Sequence, residues 1–189
     1  SVFATVIPMQ GNGMDPLAQR IKAIDLPVRL FHWLTVLAFV LAYVLVDYSR
    51  AAHQWLGYAL GILLALRMVW GMTGSYSARF TTIGASMLQL PRYLARLWRR
   101  EETYSPVYNP LGASMVVLML LDLATIVLSG HLLTTDRYWG DEAMSALHER
   151  TTQIMLGLIA LHLLGVLHAS LRQRQNLAKA MIDGYKRAS

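Results

Sequence analysis

Residues 147–171 read LHERTTQIMLGLIALHLLGVLHASL, an apolar stretch that is long enough to cross a bilayer and carries three histidines. Two of them, His148 and His162, are fourteen residues apart, which on an α-helix is almost four turns and about 21 Å of rise. Both imidazoles would then lie on one helix face, one toward each side of a hydrocarbon core about 30 Å thick. A membrane histidine is costly without a partner, so this spacing implies partners at two depths.

Three other stretches of the chain are also long and apolar enough to span a membrane. The chain has 189 residues, of which 55% are hydrophobic and only 15% charged. This composition predicts an all-α membrane protein with a four-helix bundle. The predicted spans are residues 30–47, 54–73, 111–133 and 152–171. We expect one membrane domain over residues 20–187, preceded by an N-terminal tail over residues 1–19 that contains a candidate initiator, Met14.

Basic residues are strongly biased to one side of the four predicted spans. Thirteen Lys and Arg fall on the side of both termini, whereas only Arg50, Arg137 and Arg150 fall on the other. The positive-inside rule therefore predicts that both termini are cytoplasmic. Residues 83–100 combine four arginines with large apolar residues and predict an amphipathic helix on the cytoplasmic surface, a plain basic loop being the alternative. We therefore attribute the net charge of +6 to basic residues at the cytoplasmic membrane face and not to binding of a nucleic acid.

The predicted topology assigns a depth to each histidine. His32 lies near the cytoplasmic end of the first span, and His53 lies near the periplasmic end of the second. In the descending fourth span His148 is periplasmic and His162 is cytoplasmic. The depths therefore pair His53 with His148 and His32 with His162. Two levels, each with histidines from two helices, suit two b haems with two axial histidines each.

Other interpretations of these histidines stay open at this point. A lone interfacial histidine is usually a hydrogen-bonded or snorkelling residue, and intramembrane His, Asp and Glu also mark proton relays and metal transporters. A haem-free proton- or metal-handling membrane protein is therefore an alternative. The chain has no cysteine, which excludes iron–sulfur clusters and covalent c-type haem attachment. His168 is rotated by about 240° from His162 and is expected to be interfacial, whereas His131 could contact a haem propionate or a quinone head group.

Two arginines are candidates for binding haem propionates at the cytoplasmic level. Arg29 is one helical turn before His32, and Arg67 is fourteen residues after His53 on the same predicted face. Arginine binds carboxylates through a bidentate fork, which suits a propionate. The alternative for Arg67 is an ion pair with Asp122 in the third span. Asp122 could otherwise serve a proton path to a quinone.

The chain resembles the bacterial cytochrome b561 and Ni,Fe-hydrogenase b-type cytochrome family in motifs that occur in the family's order over about residues 20 to 187. The matching segments are DLPVRLFHW (25–33), HQWLG (53–57), RMVWGMTGSYSARF (67–80), NPLGA (109–113), LHE (147–149), His162 and NLAKAMIDG (176–184).

This resemblance implies that His32, His53, His148 and His162 bind two haems b in a bacterial inner-membrane protein. It also implies electron transfer between the quinone pool and a periplasmic partner, either a c-type cytochrome or a dehydrogenase or hydrogenase subunit. An electron-transfer subunit is favoured over a stand-alone oxidoreductase, and no catalytic residue is assigned. Some relatives resemble superoxide:quinone oxidoreductases, and this is the first alternative. The mainly acidic periplasmic side argues against it, because a site that collects an anion should be basic.

Overall fold

The computed structural model describes residues 20–22, 24–76, 78–99 and 110–187, so that the expected N-terminal tail, residues 1–19, lies outside the described residues. These residues form mainly helices. In chain order the elements are β1 (Arg20–Lys22), α1 (Leu26–Leu45), α2 (Arg50–Thr73), α3 (Phe80–Met87), α4 (Leu90–Trp98), α5 (Pro110–Leu132), α6 (Glu142–Gln173), α7 (Leu177–Asp183) and β2 (Tyr185–Arg187).

Four of these helices, α1, α2, α5 and α6, are long and apolar enough to cross a membrane, which confirms the predicted helical membrane bundle. Helix α1 packs on α2, α2 on α5, and α5 on α6. Large apolar side chains also point outward, as with Ile62, which is 64% exposed, and Leu164, which is 63% exposed. Such an exposed apolar surface suits lipid. Buried residues from all four helices form the core: Ala38, Phe39, Leu60, Leu123, Ile126 and Met155.

The ends of the long helices are set by polar caps. Asp141 accepts a hydrogen bond from the Met144 backbone N–H at 2.7 Å, so that α6 begins at Glu142, ten residues before the predicted apolar span. The candidate membrane span accordingly begins at Glu142 and includes His148. Ser49 caps α2 in the same way through the Ala52 N–H at 3.2 Å, which fixes the short connection from α1.

The segment expected to be one amphipathic helix over residues 83–100 instead forms two helices, α3 and α4, and Arg100 lies outside the described residues. A turn at Leu88 and Gln89 separates them, with the Leu88 N–H donating to the Gly84 carbonyl at 3.0 Å. Pro91 explains the break, because it has no N–H to continue the helix but fits the first turn of a new one.

The two ends of the domain meet at one end of the bundle. Strand β1 pairs antiparallel with β2, with Ile21 opposite Lys186. The Trp33 indole N–H of α1 donates to the Met181 carbonyl of α7 at 3.1 Å. Both ends of the domain therefore lie on the same side of the four spans.

We expect Gly71→Ala to destabilise the folded protein by about 1–3 kcal/mol, the usual cost of overpacking. A Cβ at Gly71 would overlap the Phe80 ring, which packs over Arg67. Thermal unfolding in detergent measures the change. Gly165→Ala is the matched control in α6, because a Cβ there meets nothing within 4 Å. Equal unfolding temperatures for the two variants would contradict this packing.

Candidate functional site

The first histidine pair lies at the end of the bundle where α2 and α6 begin. The imidazole rings of His53 and His148 have centroids 6.1 Å apart and are nearly perpendicular. Each histidine comes from the first two turns of its helix. The structure thus brings together two residues that are 95 positions apart in the chain. They are the two histidines that the sequence analysis pairs because both are expected at the same depth in the membrane. We call His53 and His148 the outer pair.

Hydrogen bonds fix the orientation of both rings of the outer pair. His53 Nδ1 lies 2.9 Å from the Ala42 carbonyl oxygen, and His148 Nδ1 lies 3.1 Å from that of Ile126. A carbonyl oxygen only accepts, so each Nδ1 carries the proton and each Nε2 keeps its lone pair for a metal. Ser129 Oγ lies 3.0 Å from the same His148 Nδ1. This is the arrangement typical of metal-binding histidines.

A cavity of about 470 Å³ adjoins the outer pair and is lined by residues of all four long helices. Its volume falls in the usual range of cofactor sites, about 300–1,000 Å³. Two glycines contribute to its wall. A Cβ at Gly130 would lie 3.0 Å from the His148 ring, whereas a Cβ at Gly57 would meet nothing within 4 Å. Gly130 therefore permits the close approach of His148, and Gly57 leaves open space in the cavity wall.

The second pair, His32 and His162, is formed by α1 and α6 and is called the inner pair. The ring centroids are 6.4 Å apart with an interplanar angle of 50°. The Trp33 ring lies edge-on to His32 at 5.1 Å. His32 Nδ1 is buried and has no hydrogen-bond partner among the described residues. The ring of His32 is therefore held by packing, whereas the rings of the outer pair are held by hydrogen bonds.

Both pairs fit a metal that binds one imidazole on each side. Metal–imidazole bonds of about 2 Å on each side, together with the ring radii, place the two centroids roughly 6 Å apart. The observed separations are 6.1 and 6.4 Å. Within the described part of the chain, no group of three or more His, Cys, Asp or Glu could hold a metal ion. The four histidines occur as two separate pairs.

Arg29 lies at the inner end, where it contacts α7. Its NH1 donates to the Ile182 carbonyl, and a Cβ at Gly184 would lie 3.2 Å from its guanidinium carbon. Arg29 Nε is buried without a hydrogen-bond partner among residues that the structure describes. One part of the guanidinium therefore fixes α7, and the propionate role expected from sequence stays a prediction.

Arg67 is buried, with 4% of its surface exposed. Its NH2 donates to the Ala78 carbonyl at 3.1 Å, and its guanidinium lies 5.0 Å from the centre of the Phe80 ring. Asp122 Oδ2 is buried and has no hydrogen-bond partner among the described residues. The contacts of Arg67 therefore join α2 to α3, and its predicted propionate contact stays a prediction.

The two remaining histidines lie apart from the pairs. His131 borders the cavity at the outer end of α5, and its ring centroid is 6.0 Å from that of Tyr58. His168 is exposed on α6. Sequence reasoning missed Ser129 and Gly130, which position His148. Two adjacent small residues in an apolar helix are a signal of close helix packing that could have drawn attention to them.

Four membrane-length helices with two histidine pairs at two levels are typical of membrane-embedded b-type cytochromes. The chain belongs to the prokaryotic cytochrome b561 family, whose sequence profile matches residues 23–184. This confirms the resemblance drawn from the motifs. The protein is a multi-pass membrane b-type cytochrome of electron transfer, in a family that binds b-type haem. No curated protein and no solved structure matches the chain.

Proposed function

We propose that this protein is a di-haem cytochrome that transfers electrons between the quinone pool and a periplasmic redox partner, with His53 and His148 binding one haem and His32 and His162 the other. The observation that carries the proposal is the pair of ring separations, 6.1 and 6.4 Å, at two levels of one bundle. A haem bound by each histidine pair would supply one-electron transfer.

The chain itself orients the ligands and keeps water out. The Ala42 and Ile126 carbonyls hold the outer rings so that each Nε2 is available. Between the two levels lies the apolar core, with Met155 seven residues from both His148 and His162 and only 4% exposed. Seven residues correspond to about 10.5 Å of helix rise, which places this core midway between the pairs. A dry environment of this kind shields both levels from solvent.

Charge supports an orientation with both termini in the cytoplasm, as the positive-inside rule requires. The inner pair is then the cytoplasmic one. Helix α4 is strongly amphipathic and carries Arg92 and Arg96, with Arg99 in the following turn. In the proposed orientation, α4 lies on the cytoplasmic surface of the membrane with its arginines toward the lipid headgroups. Arg29 and Arg67 are the proposed propionate contacts of the cytoplasmic haem.

The periplasmic face favours a basic redox partner. Arg50 and Arg137 both stack on aromatic rings, at 4.5 Å from the centre of the Trp139 ring and 5.4 Å from that of Tyr138. Five carboxylates lie on the same side: Asp47, Asp136, Asp141, Glu142 and Glu149. A c-type cytochrome with a basic surface would be attracted to this face. The same charges disfavour superoxide as the substrate.

We expect electron exchange with a basic c-type cytochrome to slow as ionic strength rises from about 0.01 to 0.15 M, because the Debye length falls from about 30 to 8 Å. Stopped-flow reduction of the cytochrome measures the rate. The double variant Asp136→Asn, Glu142→Gln should lower the low-salt rate, whereas Asp183→Asn at the opposite end should not. Ferricyanide, an anion, should show the reverse salt dependence. A rate that is insensitive to salt would refute docking at this face.

Reconstituted vesicles test the proposed electron path. A quinol added to the membrane should reduce the protein, and the reduced-minus-oxidised spectrum should show b-type absorption. A periplasmic-side acceptor should then reoxidise it. Absence of b-type absorption would leave a haem-free protein and overturn the proposal. Reduction by superoxide with no exchange with a c-type cytochrome would favour the superoxide:quinone alternative.

A further inference from the structure

The outer pair is held by hydrogen bonds that His32 of the inner pair lacks. Nδ1 of His53 and of His148 each lies within 3.1 Å of a backbone carbonyl oxygen. His32 Nδ1, by contrast, has no hydrogen-bond partner in the described part of the chain, although it is buried. Hydrogen bonds from Nδ1 therefore increase the electron density on the imidazoles of His53 and His148 but not on that of His32.

Ser129 adds a side-chain contact to this difference. It is 2% exposed, and its hydroxyl donates to the Thr125 carbonyl at 2.7 Å. With its proton committed to that bond, the oxygen can accept from His148 Nδ1 at 3.0 Å. The His148 N–H is thus shared between the Ile126 carbonyl and Ser129. Both acceptors come from one turn of α5, so that the turn holds the ring at a defined angle.

Hydrogen bonds of this kind have a known electronic effect. An imidazole that donates from Nδ1 becomes a more basic ligand at Nε2 and stabilises the more highly charged, oxidised state of a metal. Nearby charge acts in the same direction, because Asp47 and Glu149 line the outer cavity whereas Arg29 lies one turn from His32. Negative charge favours the oxidised state, and positive charge favours the reduced state.

We infer that the outer level has the lower reduction potential, and that Ser129 is a positioning residue which lowers it through His148. This rests on the proposed function, since it assumes that each pair binds one haem.

Potentiometric titration of the purified full-length protein tests the order of the two potentials. His53→Ala should leave only the redox transition of the inner level, and His32→Ala only that of the outer level. The two variants therefore assign each transition in the titration of the wild type; these transitions are called the inner and the outer component. We expect the inner level to hold the electron at least tenfold more often at equilibrium, which corresponds to about 59 mV for one electron. Equal potentials, or the reverse order, overturn the inference.

The Ser129→Ala variant tests the positioning role. It should raise the outer potential, leave the inner one unchanged and retain both components, and Ser129→Thr should restore the outer potential. Ser114→Ala is the matched control, because Ser114 also donates to a carbonyl four residues back in α5, at 2.9 Å. It should shift neither potential.

The remaining outcomes separate the inference from the function on which it rests. Loss of the outer component in Ser129→Ala but not in Ser129→Thr supports the role of the hydroxyl, and its loss in both overturns that role. No shift in Ser129→Ala, or an equal shift at both levels, also overturns it. Fewer than two b-type components in the wild type would instead refute the proposed function.

Discussion

Replacing His148 with Ala is expected to lower the haem content from two to one per chain, by removing the outer haem alone. His148 supplies one side of the outer pair, and its ring is 6.1 Å from that of His53. Without it only His53 would remain to bind the haem, and the site would not hold a non-covalent haem firmly. Haem extraction against protein concentration measures the ratio.

Two controls accompany the His148 variant. The inner haem that remains shows that the bundle has folded. His131→Ala changes a histidine that borders the same cavity but belongs to neither pair, so that both haems should stay. Retention of two haems in His148→Ala, or loss of one in His131→Ala, would contradict the assignment of the outer pair.

The His162→Ala variant is expected to remove the inner haem and to reduce electron transfer across the bilayer to background. No redox group would then remain between the cytoplasmic face and the outer pair. Vesicles with a reductant on one side and an acceptor on the other measure the transfer. His168→Ala, six residues further along the same helix and exposed, is the matched control and should transfer at the wild-type rate. Unchanged transfer in His162→Ala would show that the inner pair holds no haem.

The spans and the pairing by depth could be predicted from the sequence because both depend on simple helix geometry. Length and apolar composition identify a membrane helix, and the fixed rise of 1.5 Å per residue sets the two levels on α6. The structure brings together the same two pairs. Haem ligation by these residues, and the propionate contacts of Arg29 and Arg67, stay predictions.

Other features could not be predicted because they depend on contacts between helices. The hydrogen bond between His148 and Ser129 joins α6 to α5, and helix spacing gives the depth of a residue but not the side chain that it contacts on another helix. The contact of Arg29 with Ile182 likewise joins residues 153 positions apart. The break between α3 and α4 could have been predicted from the sequence, because Pro91 indicates a helix boundary. The prediction of one helix over residues 83–100 relied on the amphipathic pattern instead.

The number of haems b per chain tests the central claim most directly. Purified full-length protein, quantified by amino-acid analysis and by its pyridine haemochrome spectrum, should contain two haems b per chain. His53→Ala and His32→Ala should each contain one, and the double variant should contain none. One haem in the wild type, or a ratio that neither single variant lowers, would contradict a cytochrome built on two facing histidine pairs.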